Sequence, residues 1–118
     1  MGDLSEHFSR HEFTCRCGCG FDDISPDLIT VLETARNALA APIHVNCGCR
    51  CATHNAELGG VPDSQHLKGT AADITVSGVT PTALYSWFDS HYPQALGLGK
   101  YRTFVHVDVR PQRARWTG

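Results

Sequence analysis

The run TFVHVDVR at 103–110 carries the strictest pattern in the chain: Val105, Val107 and Val109 alternate with Phe104, His106 and Asp108. Successive side chains of a strand point to opposite faces, so one face here is wholly β-branched and demands an apolar cover. The opposite face sets a histidine beside an aspartate. The same split recurs in TAADITV at 70–76, with Ala72, Ile74 and Val76 on one face and Ala71, Asp73 and Thr75 on the other. A carboxylate between two small residues leaves room for access rather than filling a core. A chain built on such strands has to cover one sheet face with helices and keep the other for chemistry.

Helices able to supply that cover are legible from their caps. Ser25-Pro26 places serine at an N-cap and proline at the first helical position, and Leu28, Ile29, Leu32, Ala35 and Leu39 follow at helical spacing, which predicts a helix over 25–40. Thr80-Pro81 opens a second one over 80–92 in the same way. CATHNAEL at 51–58 predicts a short helix stopped by Gly59-Gly60, and residues 4–10 a helical turn leading to Glu12-Phe13. Pro42-Ile43-His44-Val45 begins a strand that runs into CGCRC. TCRCGCGFDD, with bends at Gly18 and Gly20, VPDSQHLKG and LGLGK read as loops. The resulting order, α, β, short α, β, α, β, predicts an α+β fold: a small antiparallel sheet with helices packed on one side. At 118 residues the expectation is a single domain over 1–118, with room for one core and not for two.

Composition removes other classes. The formal net charge is −2 and the basic residues are scattered. Only Arg110 to Arg115 cluster; that is too short for a nucleic-acid footprint and reads as a solvated basic terminus. No apolar run approaches the ~18 residues that would span a bilayer. The start, MGDLSEHF, has neither a basic n-region nor an apolar h-region, so it reads as synthesis in the cytoplasm without a secretory leader. A monomer is the expectation. Six cysteines fall in two alternating triplets, Cys15-Cys17-Cys19 and Cys47-Cys49-Cys51. Alternation puts each triplet on one face of an extended chain. Disulfides, buried thiols and a second metal site all stay open, the last least supported without Cys-x2-Cys spacing.

If the strands at 70–76 and 103–110 pair, Asp73 and His106 share a cleft. His66 stands seven residues before Asp73, an odd separation that a straight strand would send to the opposite face; a bend at Gly69 returns it. Two imidazoles and one carboxylate make a three-ligand zinc site with a fourth position left for water, the catalytic pattern. His44 reads as a residue of a strand face or edge and Lys68 as a solvated loop charge.

Ser64-Gln65-His66-Leu67-Lys68-Gly69-Thr70-Ala71-Ala72-Asp73 spells S-x-H-x-x-G-x-A-x-D, and His106 follows 33 residues after Asp73 in FVHVD. With these motifs the chain, from roughly Phe8 to Trp116, resembles the zinc D-Ala-D-Ala carboxypeptidase family and its relatives among bacterial and phage murein peptidases. Their fold is shared with lysostaphin-type peptidases and the hedgehog signalling domain. The resemblance implies one catalytic zinc ion on His66, Asp73 and His106. It implies a role for Arg50, sixteen residues before His66, in holding a substrate carboxylate or a developing oxyanion. Ser64 is expected to bind substrate or to brace the ligand loop. The implied substrate is a D-amino-acid-containing stem peptide or cross-link of peptidoglycan, cut by a carboxy- or endopeptidase. Without a leader, a phage lysin, tail component or prophage relative acting at the cell wall is the implied source.

The chain departs from its better-known relatives where some carry E-x-x-H and others H-x-H: those positions are Thr103 and Phe104. The general base then falls to Asp108, which shares a strand face with His106, or Asp108 orients an imidazole instead. Those departures leave room for a rival reading, a binding or structural module that keeps the zinc fold without catalysis. A Cys-rich metal-binding or redox protein built on the two triplets is the other.

Overall fold

The computed structural model describes residues 4–15, 24–57 and 65–118. Cys17, Cys19, Gly18, Gly20, Gly59, Gly60 and Ser64, each given a part by the sequence, lie outside the described residues.

Helix α1 (Pro26–Leu39) starts directly after Ser25 and ends where Ala40 enters the left-handed region at φ 50°. Its Leu28, Ile29, Val31, Leu32 and Ala35 are buried. Helix α2 (Ala52–Glu57) is the short helix expected from 51–58. Helix α3 (Pro81–His91) follows Thr80, whose hydroxyl accepts the Ala83 N–H at 3.1 Å, so one of the first turn's open donors is satisfied. The N-terminal helical turn is a 3-10 turn at Arg10–Glu12, later than the expected 4–10. The residues before it form no helix: the Leu4 and Ser5 N–H groups donate to the Phe8 carbonyl, and α1 holds the segment, with Glu33 accepting the Ser5 hydroxyl at 2.7 Å and the His7 backbone N–H at 2.9 Å and the His7 ring 2.6 Å away.

Five strands follow: β1 (Ile43–Cys47), β2 (Ala71–Val76), β3 (Gly97–Lys100), β4 (Val105–Asp108) and β5 (Ala114–Thr117). Their order in the sheet is β1-β2-β4-β3-β5. Neighbours run antiparallel except β3 and β5, which are parallel. The expected all-antiparallel sheet is therefore corrected at one edge. The chain reverses at the β3–β4 hairpin and again after β4, so a strand that docks on the open edge of β3 points the same way as β3.

Val45, Ala72, Ile74, Val76, Leu98, Val105 and Val107 form one buried cluster with Leu28, Leu32, Leu84 and Phe88. Each of these side chains larger than alanine contributes about 1.5–3 kcal/mol by leaving water. Helices α1 and α3 thus cover the β-branched face, as the alternation demands. None of the described side chains of α2 belongs to that cluster; its Asn55 accepts from Arg50 at 2.9 Å.

Two strands replace expected irregular chain. LGLGK holds strand β3, because its glycines serve close approach rather than a turn. Gly97 pairs with Asp108 and Gly99 with His106. A Cβ on Gly97 would stand 2.5 Å from both Asp108 carboxylate oxygens, and one on Gly99 would overlap the Trp116 indole. The basic tail holds strand β5, and Arg115 is not a solvated charge. It donates to Asp89 Oδ1 at 2.7 Å and to the carbonyls of Leu96, Tyr92 and Ala95 at 2.7–2.9 Å. Leu96, at φ 67°, is held in that left-handed conformation with its carbonyl also accepting the Ala114 N–H at 3.1 Å.

Burial pushes the Glu33 pKa up, but hydrogen bonds from Ser5 and His7 outweigh it and hold the carboxyl below its ordinary value. A lowered folded-state pKa is a stabilisation present above the unfolded value and lost as pH falls through the folded one. Glu33→Gln should therefore destabilise the chain by about 1–2 kcal/mol near neutral pH. In urea titrations the gap from wild type should narrow on acidification through the carboxylate range. An unchanged gap in acid would show that Glu33 acts through packing and not through charge.

Candidate metal centre

The register of β2 and β4 pairs Asp73 with His106, so both project from the sheet face opposite the core, and His106 Nδ1 lies 3.0 Å from Asp73 Oδ1. His66 belongs to a 3-10 turn, Gln65–Lys68, where the sequence suggested an open loop. Gly69 then takes φ 69°, a conformation glycine enters without steric cost. The bend brings His66 Nε2 to 3.3 Å from the same Oδ1. The two rings meet edge to face with centroids 5.1 Å apart, and they are 4% and 8% exposed.

Each imidazole is anchored at its outer nitrogen. His66 Nδ1 lies 2.7 Å from the Gly48 carbonyl oxygen, which can only accept, so the proton is on that nitrogen. His106 Nε2 lies 2.7 Å from Asp108 Oδ2. Asp108 is fully buried and accepts from Arg110 three times, from Nε at 2.8 Å, Nη2 at 2.7 Å and the backbone N–H at 3.1 Å. Burial alone would raise its pKa, yet Arg110 and His106 hold it far below the carboxylate range. Asp108 is therefore an acceptor, and His106 Nε2 carries a proton. In the neutral rings this leaves His66 Nε2, His106 Nδ1 and Asp73 Oδ1 facing one another as acceptors.

Such a cluster requires positive charge at its centre. Protons can supply it. Burial disfavours charge on His66, but its bonds to Asp73 and Cys47 raise its pKa to about 10. Asp73, also opposed by burial, is lowered to about 2 by the two rings. A divalent cation supplies the charge at least as well. Two imidazoles with fixed outer N–H groups and a carboxylate are the donor set that zinc takes, including the outer-shell bonds that orient its histidines. The three residues singled out by the sequence are thus brought together around Asp73 Oδ1, and their donor types are ones that zinc accepts.

The sequence-predicted Arg50 stands beside them. Its backbone N–H donates to the His66 carbonyl at 3.0 Å. Its Nη1 donates to Asn55 and its Nη2 to Cys47 Sγ, at 2.9 and 3.3 Å, while its buried Nε has no hydrogen-bond partner among the described residues. Lys68 and His44 are exposed, as expected for bystanders.

Two neighbours of the site were not placed there by the sequence, which assigned Cys47 a part only within its cysteine triplet. Cys47 Sγ belongs with His66 and Asp73 to a group of ligand atoms all within 4.8 Å of one another; His106 stands outside that group, next to it at Asp73 Oδ1. Burial raises the Cys47 pKa, and His66 and Arg50 overcome this to hold the thiol below its ordinary value. Strand alternation places Cys47 with Ile43 and Val45 on the core face, whereas an irregularity between Val45 and Cys47 sets it opposite Asp73. Trp116 was hidden because β5 reads as a solvated tail. Its ring centroid lies 5.1 Å from that of His106, its Nε1–H donates to Tyr101 at 2.9 Å, and the Arg110 guanidinium lies 5.1 Å over it.

Residues 6–108 match the Peptidase M15 family, and the chain belongs to that family. It is 35% identical over 92 residues to a protein of Haemophilus influenzae described as probable peptidoglycan L,D-endopeptidase MepK, a match covering 74% of this chain and 49% of that relative. The chain therefore spans about half the length of the curated relative it matches.

The glycines of β3 give a direct check on this geometry. Gly99→Ala should displace Trp116, shift its fluorescence and cost about 1–3 kcal/mol by overpacking. Unchanged emission and stability would mean that the indole does not rest against Gly99.

Proposed function

We propose that this chain is a zinc-dependent peptidase that hydrolyses peptide bonds in the stem peptides or cross-links of bacterial peptidoglycan, with His66, Asp73 and His106 holding one ion. The observation that carries the reading is the convergence of two buried imidazoles on one carboxylate oxygen, each with its outer N–H already committed, in a member of the Peptidase M15 family. The likeness to a probable peptidoglycan L,D-endopeptidase supports the choice of substrate. Zinc bound there supplies polarisation of the scissile carbonyl and an acidified water.

The chain's own residues do the positioning. Gly48 and Asp108 fix the tautomer and direction of the two imidazoles. Of the two roles open to Asp108, orientation is the one its contacts support, because both oxygens are engaged and the side chain is fully buried. Arg110 keeps it ionised. Arg50, whose Nε has no hydrogen-bond partner among the described residues, holds a substrate carboxylate or the developing oxyanion, since its planar fork suits two-point binding.

Digestion of purified murein, read by mass spectrometry, tests the proposal and identifies the bond. Cleavage should be lost on stripping zinc, restored by adding it back, and absent in His106→Ala. A folded, zinc-loaded wild type that leaves murein intact would overturn the peptidase in favour of a binding module. The positioning role has its own measurement. Asp108→Asn should weaken zinc binding by about 10–100-fold in competition with a chromogenic chelator, and undiminished affinity would remove Asp108 from the site's support.

A further inference from the structure

We propose that Cys47 is a fourth protein ligand of the ion held by His66, Asp73 and His106, so that the loaded site rests with its open position closed by sulfur. This inference depends on the zinc reading above. Its first support is the backbone. In β1, Ile43, His44 and Val45 pair with Val76, Thr75 and Ile74, and continuing that register would place Asn46 opposite Asp73. Cys47 takes that place instead. One extra residue in the strand has turned a side chain from the core face to the site face, which is what bulges beside active sites do.

The second support is the donor set. Sulfur, imidazole nitrogen and carboxylate oxygen are the three donor types zinc accepts, and here their atoms lie within 4.8 Å of one another. Ligands around one tetrahedral zinc, with bonds of about 2.0–2.3 Å, stand about 3.3–3.8 Å apart, so Cys47, His66 and Asp73 have to draw together around the ion, with His106 brought in beside Asp73 Oδ1, from which its Nδ1 lies 3.0 Å away. The thiol is held for that purpose. A Cβ on Gly48, the next residue, would stand 2.7 Å from Phe13 Cα, and the following Cys49 N–H donates to the Phe13 carbonyl at 2.7 Å. The segment is therefore pinned on one side by Phe13 and on the other by β2.

Closure has a functional meaning because of Arg50. Three protein ligands leave a zinc site open for water, and four close it. The Cys47 sulfur lies 3.9 Å from His66 Nδ1, the ring's outer nitrogen, and accepts from Arg50 Nη2 at 3.3 Å. A substrate carboxylate that takes Arg50 away from the sulfur would make the thiolate more basic, and on taking up a proton from solvent the sulfur would leave the ion as a thiol with water in its place. The site opens when an anionic peptide end arrives.

The test is zinc K-edge X-ray absorption on the full chain loaded with one equivalent of zinc, for wild type and Cys47→Ser, with metal content measured on each. Wild type should show one sulfur scatterer at ~2.3 Å, absent from Cys47→Ser although that variant keeps its zinc. Cobalt-loaded wild type should likewise show a thiolate charge-transfer band in the near ultraviolet that the variant lacks. Cys47→Ser should also cleave murein severalfold faster. A wild-type shell of nitrogen and oxygen alone, or a sulfur that persists in Cys47→Ser, overturns the ligand, and equal or slower cleavage overturns the closure. Zinc content that does not depend on His66, tested with His66→Ala, overturns the zinc reading itself and is thereby distinguished. Should Cys47→Ser fail to fold by circular dichroism, Cys47→Ala replaces it, and the wild-type shell remains decisive.

Discussion

Asp73 Oδ1 is the atom around which the rest of the site is organised, approached by His106 Nδ1 at 3.0 Å and by His66 Nε2 at 3.3 Å. A buried carboxylate is costly to desolvate unless it is paired. Two imidazoles on one oxygen meet that cost only when positive charge lies between them. Everything farther out directs the rings so that this is possible. The Gly48 carbonyl holds one outer nitrogen, and the Asp108–Arg110 pair holds the other. Removing an outer partner would free a ring to turn, and the inner nitrogens would no longer converge.

The sheet supports this arrangement by keeping its two faces distinct. On the core face, valines and leucines of β2, β3 and β4 pack against α1 and α3. On the other face His106, Asp108 and Trp116 are bulky, and space has to be found for them. The glycines of β3 provide it, opposite Asp108 and His106. Arg115 then ties β5 to the end of α3, which holds Trp116 against His106. An arginine from the tail thus secures one wall of a site whose ligands come from elsewhere in the chain.

Much of this was legible in the residues themselves. Alternation in 70–76 and 103–110 assigned Asp73 and His106 to one face, since strand side chains have a period of two wherever the ladder is regular. Ser25-Pro26 and Thr80-Pro81 placed both long helices, because proline's fixed φ suits the first helical position, and at Thr80 the hydroxyl also accepts a first-turn N–H. The odd spacing of His66 and Asp73 pointed to a bend, and Gly69 supplied it. Each of these inferences depends on neighbours within a few residues.

Tertiary structure decided what depends on distant partners. The glycines of LGLGK look the same in a turn and in a strand; only Asp108 and Trp116, packed across the ladder, distinguish the two. Arg115 looks solvated until the carbonyls of Tyr92, Ala95 and Leu96 gather around it. Cys47 sits on the core face by alternation and on the site face in the fold, because a one-residue shift in pairing reverses the direction of every side chain after it. The sequence by itself determined that Asp73 and His106 share a sheet face and that a bend at Gly69 could bring His66 to them. Pairing between strands decided which further side chains reach that face, because register is set by the packing of the whole sheet and not by any one strand.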